Sequence, residues 1–324
     1  MPRATASTGR LRMAEPVALA ALAIDAAIGW PPALYARIGH PVGLFARLIG
    51  GCERRLNRAQ WHASVRRAAG IATLVLLLGA TGGLAWAIEQ AVRAYLGKGA
   101  WPVLALLAAP GLAQRSLQDH VRPVARALLV GDIPAARCAV AMIVGRDTAR
   151  LDEPGIVRAA IESLAESFCD GIAAPLFWLL VAGLPGLWVY KALNTADSLI
   201  GHREPRWRAF GWAAARTDDL ANLVPARISG VVICLVAGRG WATMRRDARR
   251  HASPNAGWPE AAMAGALDLR LGGPIGYDGV MHLKPWIGAG QTAARAADIE
   301  RGLIVYRRAC LALWVIAGGV AWLL

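Results

Sequence analysis

The sequence lacks the short motifs by which many enzymes are identified. Its 324 residues contain no GxxxxGK[ST] phosphate loop, no HExxH or GxSxG motif, and no GxGxxG that opens a helix after a strand. Its five cysteines are scattered without a CxxC pair, which argues against a zinc site or a disulfide framework and fits a reducing compartment. A nucleotide would therefore have to be bound without a standard phosphate loop.

Lysine is also scarce. Lys98, Lys191 and Lys284 are the only lysines, although Lys and Arg together number 36 against 22 Asp and Glu, for a formal net charge of +14. Arginine suits phosphate and carboxylate ligands, but an excess of arginine also follows from the positive-inside rule for membrane proteins. Basicity alone does not separate these two origins. Without a recognisable binding module, it does not indicate a nucleic-acid partner.

Apolar residues, by contrast, make up 56% of the chain and include 13 Trp. This content indicates an integral membrane protein in which residues 1–324 form a single polytopic domain. The strongest candidate spans are 68–92, 171–190 and 302–324. The weaker candidates are 16–30, 100–113 and 223–238, which are short or interrupted by Pro or Gly and are consistent with re-entrant, tilted or interfacial segments.

No sustained strand alternation is present, so the predicted fold class is all-α: a polytopic helical membrane bundle with irregular, motif-bearing cytoplasmic loops. Segment 37–67 has seven arginines against Glu53 and is predicted to be cytoplasmic. The N-terminal tail, with Arg3, Arg10 and Arg12, is predicted to be cytoplasmic too. Both predictions hold only if 16–30 dips into the bilayer without crossing it.

The first polar pattern is the stretch "IESLAESFCD". Glu162, Glu166 and Asp170 are spaced four residues apart and share one face of a helix. They could form a solvated face on which Arg158 pairs with Glu162, a contact of little energetic value. Alternatively, their position beside an apolar run favours neutralisation by a hard cation such as Mg²⁺, which prefers oxygen ligands.

Two further polar segments follow. In "KALNTADSLIGHREPRWRAFGWAAARTDDLANLVPAR", Asp218 and Asn222 share a helix face, although Asp218 alone could serve as an N-cap. In "RRDARRHASPNAGWPEAAMAGAL", Glu260 suits the first turn of a helix that ends at Leu267. The basic cluster at 245–250 fits either the inner membrane surface or a phosphate. His251 is predicted to be a surface or loop histidine.

Taken alone, these patterns leave other functions open. Paired acidic motifs on membrane helices also suit an intramembrane Mg²⁺-dependent prenyl or phospho-alcohol transferase. A non-catalytic membrane sensor or assembly subunit, with structural acid–arginine pairs, is the second alternative.

Three ordered motifs resemble the CobD/CbiB family of cobalamin (vitamin B12) biosynthesis, whose members are described as adenosylcobinamide-phosphate synthases. They read "GRDTARLDEPGIVRAAIESLAESFCDGIAAPLFW", "KALNTADSLIGHREPRWRAFGWAAARTDDLANLVPARISG" and "HASPNAGWPEAAMAGALDLRLGGPIGYDG". The early "HPVGLFARLIG" also fits, and the likeness extends from about residue 16 to near the C-terminus. The chain departs from the family where "GDP" is replaced by Gly29-Trp30-Pro31 and "AEN" by Ala165-Glu166-Ser167.

The resemblance implies an ATP-dependent amide ligation at the bacterial inner membrane. The free propionate carboxylate of the corrinoid adenosylcobyric acid would be joined to (R)-1-aminopropan-2-ol or its O-phosphate. ATP would be the co-substrate and Mg²⁺ the cofactor. The protein would contact membrane lipid, and other membrane enzymes of cobalamin assembly would be further candidate partners. Because ATP is cytoplasmic, the active site is expected to face that side. Segment 171–190 is then expected to be broken near Pro175 or Pro185, or the site to lie inside the bundle.

The chemistry of this reaction predicts roles for individual side chains. Asp197 or Glu260 would take the amine proton. The predicted Mg²⁺ ligands are Glu162, Glu166, Asp170, Asp218 and Asp219. The predicted phosphate-binding residues are Arg146, Arg216 and Arg249. The residues predicted to orient substrate amide and hydroxyl groups are Asn194, Asn222 and Asn255.

Overall fold

The computed structural model describes residues 16–277, 280–282 and 284–323. The N-terminal tail with Arg3, Arg10 and Arg12 lies outside these residues, as does the last residue of the predicted span 302–324. Within them the chain is predominantly helical, with only four very short strands, which confirms the predicted all-α class.

The described residues form fourteen α-helices. The first seven are α1 (Val17–Ala27), α2 (Pro32–Ile38), α3 (Pro41–Leu56), α4 (Ala63–Leu96), α5 (Trp101–Ala108), α6 (Gln114–Leu129) and α7 (Ile133–Ala141). The second seven are α8 (Glu153–Phe168), α9 (Ala174–Ile200), α10 (Trp212–Ala221), α11 (Leu223–Ala237), α12 (Trp241–Asp247), α13 (Gly257–Leu267) and α14 (Ala296–Leu323).

Four very short strands lie between α13 and α14. They form two antiparallel pairs, β1 (Leu271–Gly272) with β4 (Trp286–Ile287), and β2 (Ile275–Tyr277) with β3 (Val280–His282). The β1–β4 pair lies beside α8 and α13 and forms part of the wall of the candidate site.

Three helical stretches are long and apolar enough to cross a membrane: Ala63–Gly99, Glu153–Ile200 and Ala296–Trp322. They contain or overlap the three stronger predicted spans. Two bent helix pairs have the composition of a broken span or a re-entrant loop: Val17–Ala27 with Pro32–Leu56, bent by 100°, and Trp212–Ala221 with Leu223–Ala237, bent by 48°. Predicted segment 100–113 contains α5, which has only eight residues and is followed by a 3₁₀ turn.

The path from α8 into α9 positions the acids. Asp152 caps α8 by accepting the Gly155 N–H at 2.8 Å, and a π-helical turn, Cys169–Ala173, joins α8 to α9. Helix α9 then loses helical geometry at Ala182 and Gly183, where Gly183 has a φ of +64° that favours glycine. The expected break in 171–190 therefore occurs two residues before Pro185, whereas Pro175 lies in the first turn of α9.

Helix α8 lies at the centre of the molecule, because most of its apolar side chains are fully buried in the main core. Gln114 at the start of α6 connects this helix to two others. Its backbone N–H donates to Asp25 of α1 at 2.7 Å, its carbonyl accepts from Tyr306 of α14 at 2.6 Å, and its side-chain oxygen accepts from Trp314 at 2.8 Å. Helices α6 and α14 also pack against α8, so these hydrogen bonds help to fix the surroundings of the helix that carries Glu162 and Glu166.

Candidate functional site

Three neighbouring cavities meet at Glu166 of α8. The side chain of Glu166 is accessible although its helix is buried, and it lines all three cavities. Cavity A, of about 420 Å³, has the polar lining residues Arg146, Glu162, Ser163, Glu166, Arg250, His251, Glu260 and Lys284. Cavity B, of about 590 Å³, has the polar lining residues Ser116, His120, Ser163, Glu166, Ser167, Asp170, Lys191, Asn194 and Ser198. Cavity C, of about 350 Å³, has the polar lining residues Glu166, Asp170, Asp197, Arg203, Asp218, Asp219, Asn222, His251, Ser253 and Asn255.

In cavity A, Glu162 connects two distant parts of the chain. Its Oε2 accepts a hydrogen bond from the guanidinium of Arg146, and its Oε1 accepts the Gly272 N–H of β1 at 2.7 Å. The alternative pairing of Glu162 with Arg158 is wrong. Arg158 instead donates to the Thr292 carbonyl at 2.8 Å and stacks over Trp286, because long-range packing brings those groups to its surface.

Glu260 and His251 face each other in the same cavity, with Oε2 and Nε2 3.5 Å apart. Glu260 belongs to α13, which ends at Leu267 as predicted. Burial raises the pKa of Glu260 well above its usual range; the negative charges of Glu162 and Glu166 add to this, and Lys284 and Arg146 oppose it. Burial, reinforced by Lys284, lowers the pKa of His251. The site thus favours a protonated Glu260 beside a neutral imidazole.

Asp247 organises the arginines that follow it. It is fully buried, is paired with Arg246 through two hydrogen bonds of 2.8 and 2.7 Å, and accepts the Gly288 N–H at 2.9 Å. The hydrogen bonds from Arg246 lower the pKa of Asp247, and burial partly opposes this. Arg250 lies 3.3 Å from the same carboxylate and also lines cavity A.

In cavity C, Asp218 is held by a short chain of hydrogen bonds. Its Oδ2 accepts from the Asn222 amide at 2.9 Å, as their shared helix face predicts, and Asn222 Oδ1 accepts from the Tyr190 hydroxyl at 3.0 Å. Asp218 is only 8% exposed, and its Oδ1 has no hydrogen-bond partner among the described residues. Asp218 lies inside α10 and is therefore not an N-cap.

The structure brings most of the predicted site residues to these cavities. Asn194 lines cavity B, and its amide is 3.5 Å from Oδ2 of Asp170, which lines both cavities B and C. Asn255 is engaged by the protein, since it donates to the Asp219 carbonyl at 2.6 Å and accepts from Arg227 at 3.1 Å. Two predicted phosphate ligands, Arg216 and Arg249, are exposed and line none of the three cavities.

The five predicted metal ligands do not form one coordination sphere. Glu162 lies in cavity A and Asp218 and Asp219 lie in cavity C, with Glu166 and Asp170 between them. Among the described residues, no group of three or more His, Cys, Asp or Glu side chains is arranged to hold a metal ion. A metal here would therefore use one or two carboxylates together with water and substrate oxygens, as Mg²⁺ often does.

Several cations that line the cavities were not predicted from the sequence: Lys191, Arg203, Lys284 and Arg250. Arg250 occupies the place that was predicted for Arg249. The signal for the lysines was present, because two of the three lysines in an arginine-rich chain line these cavities. No comparable signal distinguishes Arg203 from its neighbouring arginines.

Comparison with known proteins adds an independent observation. The profile of the family described as "CobD/Cbib protein" matches residues 18–306. The chain is 51% identical over 307 residues to a protein of Rhodobacter capsulatus, an alignment that covers 93% of this chain and 95% of that protein. It is 49% identical over 302 residues to a protein of Sinorhizobium sp, with 90% and 93% coverage, and 46% identical over 296 residues to one of Brucella suis biovar 1, with 88% and 90% coverage. All three are named "Cobalamin biosynthesis protein CobD". No solved structure gives a significant match.

Proposed function

Because the chain belongs to the CobD/CbiB family of cobalamin biosynthesis, we propose that it catalyses an ATP-dependent amide ligation. The free propionate carboxylate of adenosylcobyric acid is joined to (R)-1-aminopropan-2-ol or to its O-phosphate. The observation that carries this proposal is the meeting of three chemically different cavities at Glu166, since the reaction has three substrates.

The chemistry sets two requirements for the protein. A carboxylate is a poor electrophile, so ATP must first convert it to an acyl phosphate, a step that depends on positioning and on neutralising charge at the phosphate oxygens. The amine is protonated at neutral pH, so a base must then take a proton from it before nitrogen attacks the acyl carbon and phosphate leaves.

Cavity A suits the nucleotide phosphates because it contains Arg146, Arg250 and Lys284. Arg146 and Arg250 already face carboxylates, but a guanidinium has several N–H donors and can bind a phosphate oxygen at the same time. Arg146 keeps the role predicted for it, and Arg250 takes the role predicted for Arg249.

Magnesium fits the acids at the junction of the cavities. Glu166 and Asp170 are hard oxygen donors one helical turn apart, both line cavities B and C, and neither makes an ion pair within 4.0 Å in the described part of the chain. These two residues would hold Mg²⁺, which supplies charge neutralisation at the phosphate oxygens when bound. Glu162 is less suited to this role because both of its oxygens already accept protein hydrogen bonds.

Cavity B suits the corrinoid. It is the largest of the three, and neutral hydrogen-bonding side chains such as Ser116, Asn194 and Ser198 match the amide groups around a corrinoid ring. Lys191 gives this cavity a positive charge for the substrate carboxylate.

Of the two predicted bases, we propose that Asp197 acts on the amine. Asp197 lies in cavity C, away from the arginines of cavity A. Glu260 has a raised pKa and is favoured in its protonated form, so it suits hydrogen-bond donation to a substrate oxygen better than proton abstraction. Because ATP is cytoplasmic, we further propose that the three cavities open to the cytoplasmic side of the bacterial inner membrane.

The test uses the purified full chain in detergent with adenosylcobyric acid, ATP, Mg²⁺ and either amine. We expect an amide product and equimolar ADP, and loss of both in the Glu166→Gln variant. Product formation without ATP, or no product with either amine, would contradict the proposal. A transferase would instead consume a lipid diphosphate, and a purely structural protein would show altered abundance in Glu166→Gln without any turnover to lose.

A further inference from the structure

Cavity C has an unusual balance of charge. Its one Lys or Arg lining residue among the described residues is Arg203, which is exposed, whereas five carboxylates reach the cavity. These carboxylates are Glu166, Asp170, Asp197, Asp218 and Asp219. Two further cations lie beside the cavity: Arg216 is 3.5 Å from Asp219, and the charge of Lys191 acts on Asp170 and Asp218. The carboxylates still outnumber these cations, and carboxylates that have lost part of their hydration are costly to keep ionised, so this cavity favours a cationic ligand.

A second, independent feature points to a ligand at one atom. Asp218 is 8% exposed, and its Oδ1 is buried without a hydrogen-bond partner among the described residues. The Asn194 amide donates to Asp170 Oδ2 at 3.5 Å and also lies near the Asp218 carboxylate, but it makes no hydrogen bond of standard geometry to Oδ1. Buried acceptors in native proteins nearly always have a partner, so Oδ1 is available for a donor that the protein does not supply.

The rest of this carboxylate is fixed. Its Oδ2 is held by Asn222, which is in turn held by the Tyr190 hydroxyl, so Asp218 cannot turn its free oxygen towards another protein donor without breaking these bonds. Such a fixed acceptor is preorganised for a ligand.

From these features we propose that cavity C binds the ammonium group of the amine substrate, and that Asp218 Oδ1 accepts one of its N–H donors. The proposal rests on the amide ligation proposed above and assigns its amine to one cavity. A primary ammonium has three N–H donors and therefore suits several separate carboxylates. The Mg²⁺ proposed above would use Glu166 and Asp170, at the edge that cavity C shares with cavity B. Asp197, Asp218 and Asp219 are then left for the ammonium group.

Asp197 is placed to act on the same group. It lines cavity C, and its negative charge interacts with that of Asp218. Gly201 leaves room for the Asp197 side chain, because a Cβ at residue 201 would lie 1.9 Å from Asp197 Oδ1. Proton transfer from the bound ammonium to Asp197 would leave the neutral amine nitrogen that attacks the acyl phosphate.

Arg203 distinguishes the two forms of the substrate. If the amine carries an O-phosphate, Arg203 is the cation of cavity C that can bind the phosphate, while the ammonium end stays at Asp218. The free amino alcohol would not need Arg203.

The test measures equilibrium binding by isothermal titration calorimetry on the full chain in detergent, with (R)-1-aminopropan-2-ol hydrochloride, its O-phosphate or MgCl₂ as the titrant. We expect at least one of the two amines to bind without Mg²⁺. Asp218→Asn should weaken that binding about tenfold or more, as expected for loss of a charged hydrogen-bond acceptor. Asp197→Asn should also weaken it, and Arg203→Ala should weaken binding of the O-phosphate only.

Asp268→Asn is the matched control, because Asp268 is exposed and lies outside the three cavities. Asp218→Asn, Arg203→Ala and the control should keep the wild-type melting temperature. Gly201→Ala should lower it, because a Cβ there would also lie 2.6 Å from the Asp197 carbonyl oxygen, so Asp197→Asn is the second probe if Asp218→Asn unfolds. Unchanged amine affinity in folded Asp218→Asn and Asp197→Asn would overturn the proposal, as would Asp218-dependent binding of Mg²⁺ without binding of either amine.

Failure of this inference is distinguishable from failure of the proposed function. Amide synthesis with ATP, together with amine binding that is indifferent to Asp218, would reject cavity C as the amine site and leave the ligation intact. Asp218-dependent amine binding without amide synthesis would support the amine site and reject the ligation.

Discussion

Glu89 of α4 accepts the backbone N–H of Leu184 at 3.0 Å, where α9 loses its helical geometry. The second half of α9 begins at this contact and carries Lys191, Asn194 and Asp197 towards the cavities. Glu89 also pairs with Arg93 at 3.0 Å, so its charge is compensated inside a predicted span. A residue far from the cavities therefore fixes the direction of the helix that carries three of their polar side chains.

Replacing Glu89 tests this positioning role. Glu89→Ala leaves the Leu184 N–H without its acceptor and should destabilise the protein by about 1–3 kcal/mol, with a loss of ligation activity. Glu89→Gln retains an acceptor oxygen and should have a smaller effect on both. The measurements are the apparent melting temperature in detergent and the turnover rate. Equal behaviour of Ala and Gln variants would show that the contact does not position α9.

In the Arg146–Glu162 pair, Glu162 should serve mainly to stabilise the fold. Glu162→Gln leaves the largely buried Arg146 without its counter-charge and should cost about 3 kcal/mol of stability. The double variant Glu162→Gln/Arg146→Met should recover stability but not activity, since Arg146 is proposed to bind phosphate. Thermal unfolding and the Mg²⁺ dependence of turnover check both points. A wild-type melting temperature with a raised Mg²⁺ requirement in Glu162→Gln would instead make Glu162 a metal ligand.

Glu260 and His251 should give opposite pH dependences of stability. Because the pKa of Glu260 is raised in the folded protein, its contribution is fully present below its ordinary value of 4.5 and is lost as the pH rises through the raised pKa. Glu260→Gln cannot ionise, so its stability relative to wild type should increase with pH. The lowered pKa of His251 acts the other way, and its contribution is lost as the pH falls below 6.5. The measurement is the apparent melting temperature of wild type, Glu260→Gln and His251→Gln as a function of pH. Parallel wild-type and Glu260→Gln curves would contradict the prediction for Glu260.

Two glycines of α4 form a matched pair for testing how that helix packs. A Cβ at Gly70 would lie 1.8 Å from the Phe210 carbonyl oxygen, whereas a Cβ at Gly79 would meet nothing within 4 Å. Gly70→Ala should push the loop before α10 away from α4 and destabilise the protein by about 1–3 kcal/mol, and Gly79→Ala should be neutral or slightly stabilising. The measurement is the melting temperature of each variant. Equal values would contradict the close packing of Gly70 against the Phe210 carbonyl.

Periodicity in the sequence was sufficient to predict the local features. The four-residue spacing places Glu162 and Glu166 at a common cavity, and the same spacing predicts the hydrogen bond between Asp218 and Asn222. A break in α9 near Pro185 was one of three expectations that followed from a site on one side of the membrane, beside a break near Pro175 or a site inside the bundle, and the structure has the break at Ala182 and Gly183. Predictions that depend on one helix and its neighbours along the chain could be made without coordinates.

Long-range partners could not be predicted in this way. Arg158 lies one turn before Glu162, yet the guanidinium that reaches this carboxylate belongs to Arg146, which comes from the loop before α8. Arg249 and Arg250 are indistinguishable in a basic run, and only the buried Asp247 determines that Arg250 faces cavity A. The division of the acids between two cavities likewise depends on how α8, α10 and α13 pack, which no local pattern encodes.

The use of lysine in this chain has a practical consequence. Lys191 and Lys284 line adjoining cavities, and Lys98 is the only other lysine in the sequence. Amine-directed acylating reagents would therefore give a mass-spectrometric footprint with almost no background, in which each substrate shields its own cavity. Occupancy of the cavities proposed for the nucleotide and for the corrinoid could then be followed separately, without introducing new residues for labelling.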